Sequence, residues 1–155
     1  MIKSNLKFIN SPIFEALRQQ QIALEKDEVP VGAAIAKNGL IIASAHNLVE
    51  TNKDMCAHAE YLAMREASVV LNTKYLYECE LYTTLEPCIF CASAAKLFRI
   101  KTIHFCAEDI RWGTLNQSLE LNKIGNHNCQ YTKLEGLEEN GKILSDFFKR
   151  KRNSR

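Results

Sequence analysis

Two short segments of the sequence combine residue types that bind zinc. The first is His58-Ala59-Glu60, and the second is Pro87-Cys88-Ile89-Phe90-Cys91. Because Cys88 and Cys91 are three residues apart, they share one face of a helical turn, and both thiolates can bind one tetrahedral ion. A helix N-terminus also favours anionic sulfur, which is the form that binds metals. The two segments together predict a zinc site made by His58, Cys88 and Cys91.

Glu60 gives this predicted site a catalytic character. Three protein ligands leave the fourth zinc position to water, as in catalytic zinc sites. Glu60 follows His58 by two residues, where its carboxylate is placed to move protons between that water and a substrate. Cys56 leaves an alternative open, because a fourth ligand two residues before His58 would close a structural site. In that alternative Glu60 has no role.

The elements that must position these residues alternate between helix and strand. Hydrophobic periodicity, caps and prolines predict helices over 12–26, from 58, from 87 or 88, over 115–124 and over 137–149. β-branched and alanine-rich runs predict strands over 31–37, 40–45, 81–84, 102–106 and 129–133, with Asn38-Gly39 as a hairpin turn between the first two. This order predicts an α/β sandwich with a mixed sheet. The second helix is expected to turn Ala59, Leu62, Ala63, Ala67 and Val70 inward, and the last helix Ile143, Leu144, Phe147 and Phe148.

Length and composition are those of one compact domain over 1–155. The chain has 155 residues, of which 46% are hydrophobic and 25% charged, and a domain typically has about 100–200 residues. The sequence shows neither an apolar run of the roughly 20 residues that span a bilayer nor a signal peptide, so we expect a cytoplasmic protein without a membrane partner. Its six cysteines then predict metal binding or catalysis more readily than disulfides.

Positive charge is concentrated at the C-terminus. The net charge of +2 is too small to indicate nucleic-acid binding by itself. However, residues 149–155 form a basic tail in which Lys149-Arg150-Lys151-Arg152 follows Phe147-Phe148 directly. Composition leaves two interpretations open, a solvated tail and a surface that binds nucleic acid.

Several short blocks of the sequence surround the zinc motif. They are Glu28-Val29-Pro30-Val31-Gly32, Ala57-His58-Ala59-Glu60, Thr84-Leu85-Glu86-Pro87-Cys88 and Leu144-Ser145-Asp146-Phe147-Phe148-Lys149-Arg150. The pattern H-x-E…P-C-x-x-C is the zinc nucleobase-deaminase signature. In order and spacing the blocks resemble the bacterial tRNA-specific adenosine deaminases, and the resemblance extends over about 15–152. It implies a three-layer α/β/α sandwich of the cytidine deaminase-like type with a five-stranded mixed sheet. It also implies hydrolytic deamination of adenosine to inosine at the wobble position of a tRNA anticodon, one zinc ion per subunit and a homodimer.

The resemblance assigns roles to individual residues. His58, Cys88 and Cys91 are expected to hold zinc, and Glu60 to transfer protons. The expected substrate-binding residues are Asn47, Val31, Ala59 and Asp109. Each of three has a plain structural alternative: Asn47 as a turn residue at a strand end, Asp109 as a loop cap and Val31 as core.

RNA is expected to contact the chain at two places. The first is the basic end, where one of the two phenylalanines is expected to lie in the core and the other to be available to RNA. The candidate RNA-binding residues there are Phe148, Lys149, Arg150 and Arg152, because phosphates attract cations and unpaired bases stack on aromatic rings. The second is the segment after the fourth strand, which departs from the family pattern through the bulky residues Trp112 and Leu115. Trp112 is expected either to stack on an unpaired base or to pack in a dimer interface.

Two other functions are compatible with the zinc motif. One is a deaminase of free nucleobases or nucleosides, acting on guanine, cytosine or cytidine, for which the basic aromatic end has no evident use. The other is a zinc-stabilised RNA-binding module without turnover, in which Glu60 would be dispensable.

Overall fold

The computed structural model describes residues 10–114 and 118–155, without the side chains of residues 118 and 119. The helices are α1 (Pro12–Glu25), α2 (Val49–Asn52), α3 (Ala59–Val70), α4 (Ile89–Phe98), α5 (Ser118–Asn122) and α6 (Asn140–Asn153). The strands are β1 (Gly32–Lys37), β2 (Leu40–His46), β3 (Cys79–Leu85), β4 (Thr102–Ala107) and β5 (Gln130–Lys133).

The five strands form one mixed sheet in the order β2-β1-β3-β4-β5. Strands β2, β1 and β3 are antiparallel neighbours, whereas β3, β4 and β5 run parallel. The predicted turn between β1 and β2 is present, with positive φ angles of 51° at Asn38 and 78° at Gly39, as a type I′ hairpin requires. The five-stranded mixed sheet predicted from the sequence is confirmed.

Helices cover both faces of the sheet, which gives the expected three-layer α/β/α sandwich. On one face, Ala63 and Met64 of α3 and Ala95 of α4 pack with Ile35 and Leu81 in the main apolar core. On the other face, α1 lies so close to β1 that a Cβ at Gly32 would be 2.0 Å from the carbonyl oxygen of Ala16. Only glycine fits this contact between helix and strand.

Some expected element boundaries and inward faces are wrong. Val70 lies in the last turn of α3 and is 58% exposed, whereas Met64 is buried in its place. Helix α6 begins at Asn140 and runs to Asn153, so it starts later and ends later than the prediction of 137–149. Phe147 is buried, but Phe148 is 42% exposed and does not face inward.

Two short helices also differ from the prediction. The predicted helix over 115–124 corresponds to α5 at 118–122, and residues 115–117, including Leu115, lie outside the described residues. Helix α2 was not expected from the sequence. In the two described segments, no helix is both long and apolar enough to cross a membrane.

Candidate active site

The candidate residues lie together at one edge of the sheet. Parallel strands β3 and β4 both end there, with Leu85 paired to Ala107. Antiparallel β1 begins at the same edge and β2 ends there, with Gly32 paired to His46. The loops that follow β2, β3 and β4 therefore meet at one place.

The three predicted metal ligands lie together at this edge. His58 is the N-cap residue of α3 and Cys88 that of α4, so each helix begins at the site. His58 Nδ1 lies 3.6 Å from Cys88 Sγ and 3.5 Å from Cys91 Sγ. A tetrahedral zinc ion bound at about 2.3 Å by sulfur and 2.0–2.1 Å by nitrogen separates those two ligand atoms by about 3.5 Å. The donor set and its spacing therefore fit zinc.

The ionisation of the two thiols supports the same conclusion. Hydrogen bonds from the Cys91 thiol and from His58 lower the pKa of Cys88 to about 4. The hydrogen bond with Cys88 and burial raise the pKa of Cys91. Metals bind the deprotonated form of sulfur, so the lowered pKa of Cys88 favours binding of a cation at this site.

Cys56 does not join this group. Its side chain is exposed, and among the described residues the ligand atoms that lie within 4.8 Å of one another are those of His58, Cys88 and Cys91. The arrangement leaves a coordination position open, which favours a catalytic over a structural zinc site.

Glu60 lies beside the ligands and is shielded from solvent. It is 5% exposed in the first turn of α3. Burial raises the pKa of its carboxyl to about 7. A carboxyl group with a pKa close to neutral both accepts and donates a proton readily, which suits general acid and base catalysis.

Aromatic contacts fix the orientation of the ligand His58. Phe90 lies between the two ligand cysteines in sequence, and its ring meets His58 edge to face at a centroid distance of 5.6 Å. Phe90 also packs against Tyr61, with centroids 5.1 Å apart. The turn that supplies both sulfurs therefore also orients the imidazole.

Asn47 is held at the rim by a buried carboxylate, Glu28. Asn47 is 5% exposed, and its Nδ2 donates a hydrogen bond to Glu28 Oε2 at 3.1 Å. Glu28 is fully buried and also accepts hydrogen bonds from Thr51 N, Thr51 Oγ1 and Glu50 N. The sequence analysis missed this role of Glu28, and the only signal for it was a charged residue at the start of an apolar block.

Asp109 lies on the loop that follows β4. Its Oδ1 accepts hydrogen bonds from Arg111 N and Trp112 N, both at 3.0 Å, so it caps its own turn. A loop cap was the alternative to substrate binding that the sequence left open for Asp109. The Asp109 side chain is half-buried. Val31 and Ala59 are both buried, at 6% and 0% exposure.

The same loop is joined to the metal-binding turn. Gly113 forms an isolated antiparallel bridge with Cys88, and Thr114 Oγ1 donates to the carbonyl oxygen of Pro87 at 3.1 Å. A Cβ at Gly113 would lie 1.2 Å from Glu86 Oε2. Glycine is therefore required for the loop to lie against the metal site.

Comparison with known proteins agrees with this geometry. Residues 10–107 match the family model described as the cytidine and deoxycytidylate deaminase zinc-binding region. The tRNA-specific adenosine deaminase of Aquifex aeolicus is 49% identical over 90% of this chain and 93% of its own length. The chain belongs to the tRNA-specific adenosine deaminase family.

Two solved structures are similar in fold to this member of the tRNA-specific adenosine deaminase family. A structure described as part of a study of A-to-I editing by tRNA:A34 deaminases has a TM-score of 0.80 and 31% identity, and the match covers 86% of this chain and 98% of that one. A guanine deaminase from Bacillus subtilis is also 31% identical, with a TM-score of 0.61 and coverage of 92% of both chains. The deaminase signature and the zinc-binding fold predicted from the sequence are confirmed.

The candidate RNA-binding residues of this family member lie far along the chain from the metal ligands, on α6. Arg150 pairs with Asp27 at 3.2 Å, and Lys151 also forms an ion pair with Asp27. Both cations lie over the ring of buried Phe147, at 5.4 and 5.5 Å from its centroid. The basic segment is thus helical as far as Asn153 and is not a frayed tail. Phe148, Lys149 and Arg152 are all exposed on it.

Proposed function

We propose that this protein is a tRNA-specific adenosine deaminase that converts adenosine to inosine at the anticodon wobble position. The observation that carries the proposal is the zinc-compatible triad of His58, Cys88 and Cys91 beside a buried carboxyl with a pKa of about 7. The 49% identity to a tRNA-specific adenosine deaminase supports the substrate class. A zinc-stabilised module without turnover is disfavoured, because Glu60 is buried beside the metal ligands and forms no ion pair with a Lys or Arg among the described residues.

The reaction replaces an amino group by oxygen: adenosine and water give inosine and ammonia. One zinc ion per subunit, held by His58, Cys88 and Cys91, would lower the pKa of water and so supply the nucleophile. Glu60 accepts a proton from water and delivers it to the purine ring; it then takes the proton of the new hydroxyl group on C6 and passes it to the leaving amine, which departs as ammonia. Burial of Glu60 keeps bulk water from exchanging with these protons.

Four residues are proposed to bind the flipped nucleoside. Asn47, oriented by Glu28, supplies a carboxamide for hydrogen bonds to the nucleoside. Val31 and Ala59 supply small apolar surface for the base. Asp109 orders the loop after β4 by accepting hydrogen bonds from Arg111 N and Trp112 N. In this role it holds the loop against the bound nucleoside.

The surface of α6 formed by Phe148, Lys149, Arg150 and Arg152 is proposed to bind the anticodon arm. Phe148 is 42% exposed and is available for stacking, and the cations neutralise phosphates. Arg150 must share its charge with Asp27, so Lys149 and Arg152 are expected to contribute more. Alanine at all four positions 149–152 should weaken RNA binding and flatten its salt dependence, and an unchanged salt slope contradicts this role.

We also infer a homodimer in the cytoplasm. The inference of a dimer rests on the family resemblance, and light scattering should give a mass of two 17.6 kDa chains. All six cysteines are free, as expected of a reducing compartment. A mass of one chain contradicts the dimer.

The decisive experiment compares substrates side by side. The zinc-loaded protein is given an anticodon stem-loop with adenosine at the wobble position, free adenosine, cytidine, cytosine and guanine, and inosine and ammonia are measured. We expect deamination of the stem-loop only. The matched control is Glu60→Gln, which should retain zinc and lose nearly all activity, because the amide cannot carry the proton.

A free-base deaminase is the second candidate, supported by the 31% identity to a guanine deaminase. In that case guanine, and not the stem-loop, is turned over. Such a result would leave the roles of the zinc ligands and Glu60 in place, and would reject RNA as the substrate.

A further inference from the structure

Trp112 is an exposed aromatic residue next to the metal site. It is 63% exposed, and its neighbour Ile110 is fully exposed. It is also the single tryptophan of the chain. Single exposed apolar side chains are common, but two such side chains on one turn form a continuous apolar surface, which is typical of a contact site.

The backbone that carries Trp112 is fixed relative to the metal ligands. Its N–H donates to Asp109 Oδ1 at 3.0 Å, and the next residue, Gly113, pairs with the backbone of Cys88. Gly113 N also donates to the carbonyl oxygen of Asp109 at 2.9 Å. The side chain therefore projects from an ordered turn within one residue of a contact with a zinc ligand.

We propose that Trp112 stacks on an unpaired nucleotide adjacent to the target adenosine. The inference rests on the proposed function, since it needs an RNA substrate whose target base leaves the loop. Extrusion of one base breaks the stacking of its neighbours, and an aromatic ring at the rim of the pocket replaces that lost stacking. Arg111, exposed beside it, supplies the positive charge that the flanking phosphate requires.

Two observations indicate that RNA is the occupant of the surface around Trp112. The surface adjoins the active site, and Arg111 gives it positive charge. The surface lies against the turn of Cys88, into which the target nucleotide must reach. A stacked base tolerates any sequence, whereas a protein partner would have to cover Ile110 and Trp112 together. A second copy of the chain at this place is the competing occupant, and the test separates the two.

The first measurement uses Trp112 itself as the reporter. Zinc-loaded Glu60→Gln protein is titrated with the anticodon stem-loop, and tryptophan emission is recorded. Stacking on a base is expected to quench the emission, and an abasic nucleotide on one side of the wobble position is expected to restore it. An emission that stays unchanged while the RNA binds, as measured by anisotropy of a labelled stem-loop, overturns the proposal.

The second measurement uses activity. Trp112→Ala should raise the KM for the stem-loop by roughly 5- to 150-fold, the range of about 1–3 kcal/mol per stacked base, with kcat nearly unchanged. Trp112→Phe should keep most of the affinity, because phenylalanine also stacks. Tyr77→Ala is the matched control: Tyr77 is 55% exposed but precedes β3, at the opposite edge of the sheet, so its KM should stay that of the wild type.

The oligomeric mass distinguishes RNA from a second copy of the chain as the partner of Trp112. If Trp112→Ala halves the mass measured by light scattering, Trp112 belongs to a dimer interface and the proposal is wrong. A wild-type protein that deaminates guanine and not the stem-loop refutes the proposed function and the stacking together. An active RNA deaminase whose KM does not respond to Trp112→Ala refutes the stacking alone.

Discussion

Glu28 offers the sharpest test of how the substrate-binding rim is held together. Its carboxylate is fully buried and accepts hydrogen bonds from Thr51 N at 2.6 Å and from Thr51 Oγ1 at 2.7 Å on Oε1. Oε2 accepts from Glu50 N at 3.2 Å and from Asn47 Nδ2 at 3.1 Å. We predict that Glu28→Gln destabilises the fold, although it removes no atom from the core.

The magnitude follows from the hydrogen bonds. Glutamine replaces one oxygen with an NH₂ group. If the NH₂ group takes the place of Oε1, Thr51 N loses its acceptor, whereas the Thr51 hydroxyl can turn and accept from the new donor. If it takes the place of Oε2, Glu50 N loses its acceptor, whereas the Asn47 carboxamide can turn its oxygen towards the new donor. One unsatisfied, partly buried backbone donor costs about 1–3 kcal/mol, which gives a loss of about 2 kcal/mol in the free energy of unfolding. For a domain of this size that loss corresponds to a decrease in Tm of about 4–8 °C.

The assay is urea unfolding at pH 7 followed by circular dichroism. Thr51→Val is the matched variant: it removes one side-chain donor and keeps the backbone donor, and should cost about 1 kcal/mol. A Glu28→Gln protein within 1 kcal/mol of the wild type would refute the reasoning. Because Glu28 also orients Asn47, kcat/KM for the stem-loop should fall in the folded fraction of Glu28→Gln.

The pH dependence provides a second readout of Glu28. Burial alone would raise its pKa, but the hydrogen bonds from Thr51, Glu50 and Asn47 hold the pKa below its ordinary value of 4.5. A carboxylate with a lowered pKa contributes stability above the unfolded pKa, and this contribution is lost as the pH falls through the folded pKa. The difference between wild type and Glu28→Gln should therefore shrink in acid.

Three further predictions concern other contacts. Gly113→Ala should lose about 1–3 kcal/mol and weaken activity on RNA, because the added Cβ would lie 2.4 Å from the backbone carbonyl oxygen of Asp109 as well as 1.2 Å from Glu86 Oε2. Glu15→Gln should lose about 1–2 kcal/mol at neutral pH; the hydrogen bond from Arg18 lowers the pKa of Glu15 to about 2, so the loss should vanish as the pH falls from about 4.5 towards 2. Cys56→Ser should retain one zinc ion per chain by atomic absorption, since Cys56 is exposed and lies outside the ligand group.

Each of these has a matched control. Gly141→Ala adds a Cβ at an ordinary 3.4 Å from Ala107 and should leave stability within about 1 kcal/mol of the wild type. Glu66→Gln changes an exposed carboxylate on α3 and should leave stability within about 0.5 kcal/mol of the wild type. Cys88→Ser should lose zinc under the conditions in which Cys56→Ser keeps it. Equal zinc loss in both cysteine variants would contradict the three-ligand site.

The metal site was predictable because its ligands lie in two short sequence motifs. Cys88 and Cys91 are separated by one helical turn, and His58 and Cys88 are each the N-cap residue of a helix. The hairpin at Asn38-Gly39 was predictable for the same reason, since a two-residue turn fixes the register of its own strands. Local rules were sufficient wherever neighbours in sequence determine the geometry.

Contacts between distant residues account for what sequence reasoning missed. Glu28 binds donors about twenty residues away, and no local pattern marks it. Helix α6 continues to Asn153, and Arg150 and Lys151 in this part of it pair with Asp27, which follows α1 in the chain. Val70 follows the helical period of α3, yet it is exposed because the helix ends there.

The double attachment of the loop after β4 has a consequence for how this enzyme can diversify. The loop is attached at its start, where Glu86 N donates to the carbonyl oxygen of Ala107 at 2.8 Å, and at its end, where Gly113 pairs with Cys88. Between these attachments, residues 110–112 turn their side chains to solvent. Their types can change while the backbone path and the metal ligands stay in place. Substitution of these three positions therefore offers a route to a new RNA preference at little risk to the chemistry.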